Sequence, residues 1–455
     1  MADAYDVIVI GGGPGGYVAA IRAAQLGLKT AVVERDKAGG RCLNYACIPA
    51  KTMLHTAEIY DHAEHSAELG VKVSGASLDW TALGERRTKV SATLSGGVEM
   101  LWKKNKVDAI SGHGSLTAEA NVKVGDDTYE TGAVVLATGS VAMQIPGVEF
   151  ADRVVDTWGA WSLPEQPKSI AVVGAGASGA EIASAYIRYG TAVTLIEMLP
   201  QILPAEDKDI VRVVERTFKK QGIEILTGTP ISGVEAGAKS VKAKVGEQAL
   251  EVDYLCVAGG RRPDTDELGL DDAAVKVAED GKIEIDEFQR TSNPKVLAIG
   301  DLVRGGALAH KAMEEGVVAV ETVADAPTHP VDVDLVPGAT FCQPQVASVG
   351  MTEAEARETG RELKVGKFKL GGVGASVIYD DRDGMVKLVV DAEYGEILGA
   401  HIVGNRACDM IAELVDTIAL EGGSQELARI VHAHPTMSEA VLDAARAVDG
   451  WATHQ

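Results

Sequence analysis

Two of the chain's five cysteines, Cys42 and Cys47, stand close together in the run Gly39-Gly40-Arg41-Cys42-Leu43-Asn44-Tyr45-Ala46-Cys47-Ile48-Pro49-Ala50-Lys51. On a continuous ideal helix that spacing is a rise of about 7.5 Å, beyond the ~6.8 Å that a disulfide ordinarily spans between α-carbons. A bond there needs a bent backbone. Pro49, which removes a helical donor and clashes with the turn before it, gives a reason for the bend. Arg41 puts a cation beside Cys42 and favours its thiolate, and Lys51 falls one helical turn after Cys47 on the same face. The pair reads as a reducible, catalytic disulfide, against the plainer reading of two unrelated buried thiols. Cys256, Cys342 and Cys408 are scattered as small core residues would be and are assigned no chemistry.

A second dense stretch is His432-Ala433-His434-Pro435-Thr436-Met437-Ser438-Glu439. Thr436 and Glu439 have the spacing of a capping box for the last helix. His434 precedes a proline, which holds it extended and outside that helix. Its imidazole can then act as a general base, with Glu439 orienting it and raising its proton affinity. A dithiol substrate would give such a base a purpose, because its thiols must lose protons near neutral pH before they attack a disulfide.

These groups need a scaffold, and the sequence supplies the same one twice. Asp6-Val7-Ile8-Val9-Ile10, the turn Gly11-Gly12-Gly13-Pro14-Gly15-Gly16, a helical stretch to Leu26 and the strand Thr30–Glu34 form one strand–turn–helix–strand unit. Ile170–Val173, the turn Gly174-Ala175-Gly176-Ala177-Ser178-Gly179 and the strand Val193–Glu197 form another, and Gly11 and Gly174, like Glu34 and Glu197, are 163 residues apart. In each unit the first glycine makes the tight turn, the second admits a pyrophosphate, the third packs helix on strand, and the terminal acid accepts from ribose hydroxyls. Glu197 repels a 2′-phosphate and no arginine follows it, so NAD is favoured over NADP at the second site. Two dinucleotide sites with a dithiol suggest FAD, NAD and a disulfide working in series.

Val134–Ser140, which carries Thr138 and Gly139, and Val296–Asp301 read as buried strands ending in small residues. Asp301 either hydrogen-bonds a flavin ribityl chain or caps a helix starting near Ala307. Gly259-Gly260-Arg261-Arg262-Pro263 closes the second unit as Thr138-Gly139 closes the first.

The chain has 455 residues, 46% of them hydrophobic, which predicts a globular protein of two to four domains. Its net charge of −23 disfavours nucleic acid and anionic lipid as partners. No apolar run reaches membrane-spanning length, and the start Met1-Ala2-Asp3-Ala4-Tyr5-Asp6 lacks the regions of a signal peptide, so a cytoplasmic location is expected.

On these motifs, together with Ala298-Ile299-Gly300-Asp301, Ala309-His310-Lys311-Ala312 and Val346-Ala347-Ser348-Val349-Gly350, the chain resembles the FAD-dependent pyridine nucleotide disulfide oxidoreductases, class I. Within them it is similar to the dihydrolipoyl dehydrogenase branch over essentially its whole length. The resemblance implies an α/β fold with two Rossmann-like dinucleotide-binding domains, for FAD (1–145) and NAD (146–264). A central segment (265–336) completes the FAD domain, and a C-terminal α+β interface and dimerisation domain follows (337–455). It makes Cys42 the interchange thiol attacked by substrate and Cys47 the thiol that touches the flavin. Lys51 pairs with Glu181 beside the flavin ring. Glu34 and Asp301 bind FAD with backbone at Gly114 and Ala309, and Glu197 and Gly260 hold NAD. His434, supported by Glu439 and joined to Pro435 by a peptide that is often cis in this family, becomes the base, supplied across an obligate homodimer.

The implied reaction is oxidation of protein-bound dihydrolipoamide to lipoamide with reduction of NAD⁺. The implied partner is a separate lipoyl carrier, drawn from a 2-oxoacid dehydrogenase, the glycine cleavage system or a dedicated lipoate-binding protein. Rival readings are an NADPH-dependent reductase of a glutathione- or mycothiol-type disulfide, which Glu197 opposes, and a docking component of a larger complex, which the intact set Cys42, Cys47, Lys51 and His434 opposes. Metal reduction is disfavoured because Trp451–Gln455 carries no cysteine pair. The family usually has Thr, Val, Gly and Ser where this chain has Arg41, Tyr45, Ala46 and Ala50, and Glu where it has Gln345. These departures are expected to alter potential, thiolate acidity or carrier choice and to leave the reaction type intact.

Overall fold

The computed structural model describes residues 4–454, so Met1, Ala2 and Asp3 of the amino-terminal stretch lie outside it. The chain divides into two compact units, one made of residues up to Thr52 with Ala82–Met143 and Gly260–Val333, the other of Met53–Thr81, Gln144–Gly259 and residues from Asp334 on.

In the first unit five parallel strands lie in the order Val296–Ala298, Thr131–Leu136, Tyr5–Ile10, Thr30–Glu34, Asp108–Ser111. The apolar run of the central strand follows from burial on both faces, as a parallel sheet requires. Val7 and Val9 face one layer with Ala19, Trp102 and Ala319, and Ile8 and Ile10 face another with Leu116 and Val122. The first layer is built by the helices Pro14–Gln25 and Ala309–Val323, the second by a three-stranded antiparallel sheet formed within residues 114–129.

The second unit repeats this plan with parallel strands Val154–Asp156, Tyr254–Val257, Ser169–Val173, Ala192–Glu197 and Glu224–Thr227 in spatial order. A three-stranded antiparallel sheet within 231–252 again covers one face. The duplicated strands match, but the fifth is recruited differently. Val154–Asp156 precedes its repeat in the chain, whereas Val296–Ala298 arrives long after its own.

The same unit carries a five-stranded antiparallel sheet in the order Gly338–Thr340, Val346–Gly350, Ile397–Val403, Met385–Asp391, Leu363–Lys369. The helices Ala407–Ala419 and Glu439–Val448 pack on it. Lys387, 2% exposed on this sheet, bonds Asp207 at 2.8 Å, Asp209 at 2.8 Å and Glu353 at 2.8 Å. Asp207 is also the N-cap of the helix Lys208–Gln221 in the nucleotide-binding half, so one buried ammonium bolts the two layers together. Burial pushes the Asp207 and Asp209 carboxyls up, but hydrogen bonds, above all from Lys387 to Asp207 and from Lys367 and Lys387 to Asp209, outweigh it. Both end below the ordinary range, Asp209 at about 2. Among the described residues no helix is long and apolar enough to cross a membrane.

Candidate active site

The two glycine turns are built alike from sequence upward. Gly11 (φ +108°) and Gly174 (φ +99°) adopt backbone that L side chains rarely take, and a Cβ on either would lie 2.3–2.4 Å from the Ala137 or Ala258 carbonyl oxygen. A Cβ on Gly16 or Gly179 would sit 1.8 or 1.9 Å from the carbonyl oxygen of Gly11 or Gly174, so the third glycine is dictated by close approach of helix to turn. Gly13 and Gly176 are the helix N-caps, and a side chain there would meet nothing within 4 Å, which leaves each helix N-terminus open to an anion. The acids close the arrangement. Glu34 accepts from Gly12 N–H at 2.7 Å and Asp36 N–H at 2.8 Å, and Glu197 accepts from Ala175 N–H at 2.7 Å and Leu199 N–H at 3.0 Å. Both carboxylates are thereby aimed at their turns, and these residues fit a dinucleotide at each.

Cys42 and Cys47 are bonded, with α-carbons 4.8 Å apart. The backbone bends as the spacing demands, but not at the proline. Two helices, Gly40–Tyr45 and Cys47–His65, meet at Ala46 (φ −133°, ψ −93°), and Pro49 lies in the first turn of the second, where its missing N–H costs nothing. Ala50 N–H returns to the Ala46 carbonyl at 2.9 Å. The first of these helices starts against the first glycine turn: Gly39 N–H donates to the Gly12 carbonyl at 2.9 Å, and a Cβ on Gly40 would lie 2.7 Å from Gly13 Cα.

The departures have local roles. The Tyr45 hydroxyl donates to Asp36 at 2.5 Å, and burial together with that carboxylate pushes the phenol up to about 12. Ala46 is the break and Ala50 is buried. The Gln345 amide oxygen accepts from Cys408 N–H at 3.2 Å in the first turn of its helix.

Asp301 lies in the short 3₁₀ turn Gly300–Leu302 and not at the cap of the next helix, which starts at Ala309 behind Leu308. The Ser140 hydroxyl donates to Asp301 Oδ2, and Arg261 Nε donates to the same hydroxyl at 2.7 Å. Thr138 donates to the Asp264 carbonyl at 2.7 Å, Gly139 takes φ +76°, and Gly114 packs against Ile10 and Val33.

His434 is exposed, its peptide to Pro435 is cis, and its Nδ1 lies 2.9 Å from Glu439 Oε1. The capping box is incomplete. Thr436 N–H donates to Glu439 Oε2 at 2.9 Å, but the Thr436 hydroxyl turns back to the Ala433 carbonyl and the helix begins at Glu439 behind Ser438. Glu439 instead divides its oxygens between the Thr436 backbone and His434. Burial raises its carboxyl, and those two bonds, the backbone one larger, bring it below the ordinary value.

Lys51 and Gly260 belong to the first unit and Glu181 to the second. Glu181 is buried and its Oε1 accepts from Phe341 N–H at 2.9 Å. Cys256 and Cys342 are fully buried and their thiols are pushed up by burial, as inert core cysteines should be. Sequence reasoning missed two pairs. His432 has its own carboxylate, Glu413, at 2.6 Å, and no local pattern signals a partner 19 residues away. Lys311 and Glu315 form a buried pair at 2.7 Å, for which the i,i+4 spacing was the available signal.

Residues 5–316 match the pyridine nucleotide-disulphide oxidoreductase family, and residues 336–445 match the dimerisation domain of the same family. A dihydrolipoyl dehydrogenase of Geobacillus stearothermophilus is 40% identical over 99% of this chain and 97% of its own. The mitochondrial dihydrolipoyl dehydrogenase of Pisum sativum is 41% identical over 98% of this chain and 92% of its own. Among solved structures, LpdA from Mycobacterium tuberculosis is similar in fold, with a TM-score of 0.90 over 97% of this chain and 99% of that one at 24% identity. The Cu(II) complex of the HOCl-induced flavoprotein disulfide reductase RclA from Escherichia coli gives 0.88 at 25% identity, over 98% of this chain and 99% of that one.

Proposed function

Because the chain belongs to the pyridine nucleotide-disulphide oxidoreductase family, we propose that it oxidises dihydrolipoamide to lipoamide and reduces NAD⁺ to NADH, with FAD as its flavin. The observation that carries this reading is the Cys42–Cys47 bond, whose first helix begins at Gly39 and Gly40 against Gly12 and Gly13 of the first glycine turn.

His434, held by Glu439, takes a proton from one substrate thiol. The thiolate attacks Cys42, the Cys42–Cys47 bond breaks, and Cys47 leaves as a thiolate. Cys42 then takes up the proton held by His434 as it is displaced, and His434, free again, accepts the proton of the second substrate thiol that attacks the mixed disulfide, so that lipoamide departs with its new disulfide. Two electrons now reside on the cysteine pair. FAD, when bound, supplies the route by which they reach NAD⁺ as hydride and the Cys42–Cys47 bond is restored. Gly11, Gly13, Gly16 and Glu34, with Gly114, Thr138, Gly139, Asp301 and Ala309, hold FAD. Gly174, Gly176, Gly179, Glu197 and Gly260 hold NAD, and Lys51 and Glu181 serve the flavin.

The domain division is the one the resemblance implies, 1–145, 146–264, 265–336 and 337–455. The working form is a homodimer in the cytoplasm, with His434 supplied across the interface. Exposed Val377, Ile378, Ile430 and Val431, the last 94% exposed, suit a face covered by a second copy. A lipoyl carrier is the partner.

Anaerobic titration with dihydrolipoamide followed by NAD⁺, recorded through the flavin absorbance, tests the reading. The parent enzyme reduces and reoxidises its flavin and forms NADH. Cys47→Ser abolishes lipoamide turnover, and retained turnover in that variant would sink the assignment.

A further inference from the structure

The most completely buried ion pair of the first unit is the one no step above uses. Lys311 and Glu315 lie one turn apart on the helix Ala309–Val323, with side chains 1% and 2% exposed. Burying two charges is expensive unless each finds its hydrogen bonds, and here the bonds converge on one residue. Glu315 Oε2 accepts from Gly300 N–H at 2.7 Å, and Lys311 Nζ donates to the Gly300 carbonyl at 3.2 Å. Both polar groups of Gly300, which sits at φ +72°, are thus fixed by the same pair.

Gly300 immediately precedes Asp301, whose Oδ2 is taken by Ser140, itself held by Arg261. Among the described residues Asp301 Oδ1 has no protein donor, so one oxygen is locked and the other is left to accept from something else. A carboxylate set to receive a ligand hydroxyl must be fixed in direction as well as in place.

We propose that Lys311 and Glu315 are positioning residues of the flavin site, clamping the Gly300 peptide so that Asp301 presents Oδ1 to a hydroxyl of the FAD ribityl chain. The inference rests on the reading of Asp301 as an FAD ligand. The pair itself touches no reacting atom. Its contribution is to FAD retention.

The test uses full-length dimeric protein and measures FAD dissociation by flavin fluorescence below the unfolding temperature, with melting of each apoprotein in parallel. Two charge-neutral double variants avoid leaving a lone buried charge. K311M/E315L removes the acceptor for Gly300 N–H and should weaken FAD by about tenfold, as should D301A. K311M/E315Q keeps an amide oxygen that can accept from Gly300 N–H but loses the Lys311 bond to the Gly300 carbonyl, and should hold FAD less tightly than the parent and about threefold more tightly than K311M/E315L. Equal FAD affinity in the two double variants would overturn the inference, because the pair would then act only as packing. If D301A loosens FAD while K311M/E315L does not, the inference alone falls. If D301A binds FAD as tightly as the parent, the reading of Asp301 falls and takes the inference with it.

Discussion

The turn at Gly11–Gly16 and the turn at Gly174–Gly179 share their backbone angles, their glycine contacts and their carboxylate bonds, yet their helices live in different surroundings. In the first, Gly15 lies under the helix Ala309–Val323, where an added Cβ would come 2.7 Å from the Ala312 carbonyl, and Gly316 approaches the Gly15 carbonyl just as closely. In the second, the equivalent Ser178 is exposed. A turn roofed by a packed helix suits a nucleotide that stays, and an open one suits a nucleotide that arrives and leaves at every turnover.

The sharpest way to separate the sites is to spoil each turn in the same manner. Gly16→Ala should cost about a hundredfold or more in FAD affinity and with it all activity, whereas Gly179→Ala should leave FAD bound and lose NADH binding by a similar factor, as read by flavin fluorescence and by NADH quenching. If both variants lost FAD, the two sites would not be independent.

The lysines that brace the two units differ as well. Lys387→Met leaves the buried Asp207 carboxylate without its cation, although Asp209 keeps Lys367, and should cost about 3 kcal/mol in thermal or urea unfolding of the second unit. Because the Asp207 and Asp209 carboxyls titrate below their unfolded values, the network contributes its stability above about pH 4, near the ordinary carboxylate value, and loses it as pH falls toward 2. The parent should show that acid limb in its melting profile and the variant should show a shallower one.

Exchanging the roofed and open positions is gentler. Gly15→Ser pushes a side chain into the Ala312 backbone and should cost about 1–3 kcal/mol with faster FAD release, while Ser178→Ala should change melting by no more than about 0.5 kcal/mol. The smallest effect is in cofactor choice. Glu197→Ser removes the negative charge and should shift the NADPH-to-NADH preference by about tenfold in rates with each nucleotide, without touching FAD.

Much of this was legible in the residues. The 163-residue register located both turns and both acids because glycine approach and strand burial leave local marks. The disulfide run was legible as chemistry but not as backbone. Pro49 was the natural suspect for the bend, and the break fell at Ala46 because a proline in a first helical turn disturbs nothing. Thr436 and Glu439 had the right spacing for a box, yet His434 competes for the same carboxylate and the hydroxyl found a nearer carbonyl. The order of the antiparallel sheet, the Lys387 bolt and the His432–Glu413 pair depend on partners far apart in sequence, where no local pattern reaches.

The bonds that tie the sulfur-bearing helix to the first glycine turn are, by contrast, short in sequence, although Ser95 also reaches back to Asn44 and to the Ala38 carbonyl. Gly12 with Gly39, Gly13 with Gly40, Glu34 with Gly12, Asp36 with Tyr45 and Cys42 with Cys47 join residues that have all been added to the chain by Lys51. Asp301 and Ala309 follow only after the whole of 144–259, on the order of ten seconds or more later at ordinary rates of translation. During synthesis both cysteines are therefore present well before the helix that carries Ala312 and Gly316 over the first glycine turn, so the flavin route to the sulfur pair is made long after the pair itself.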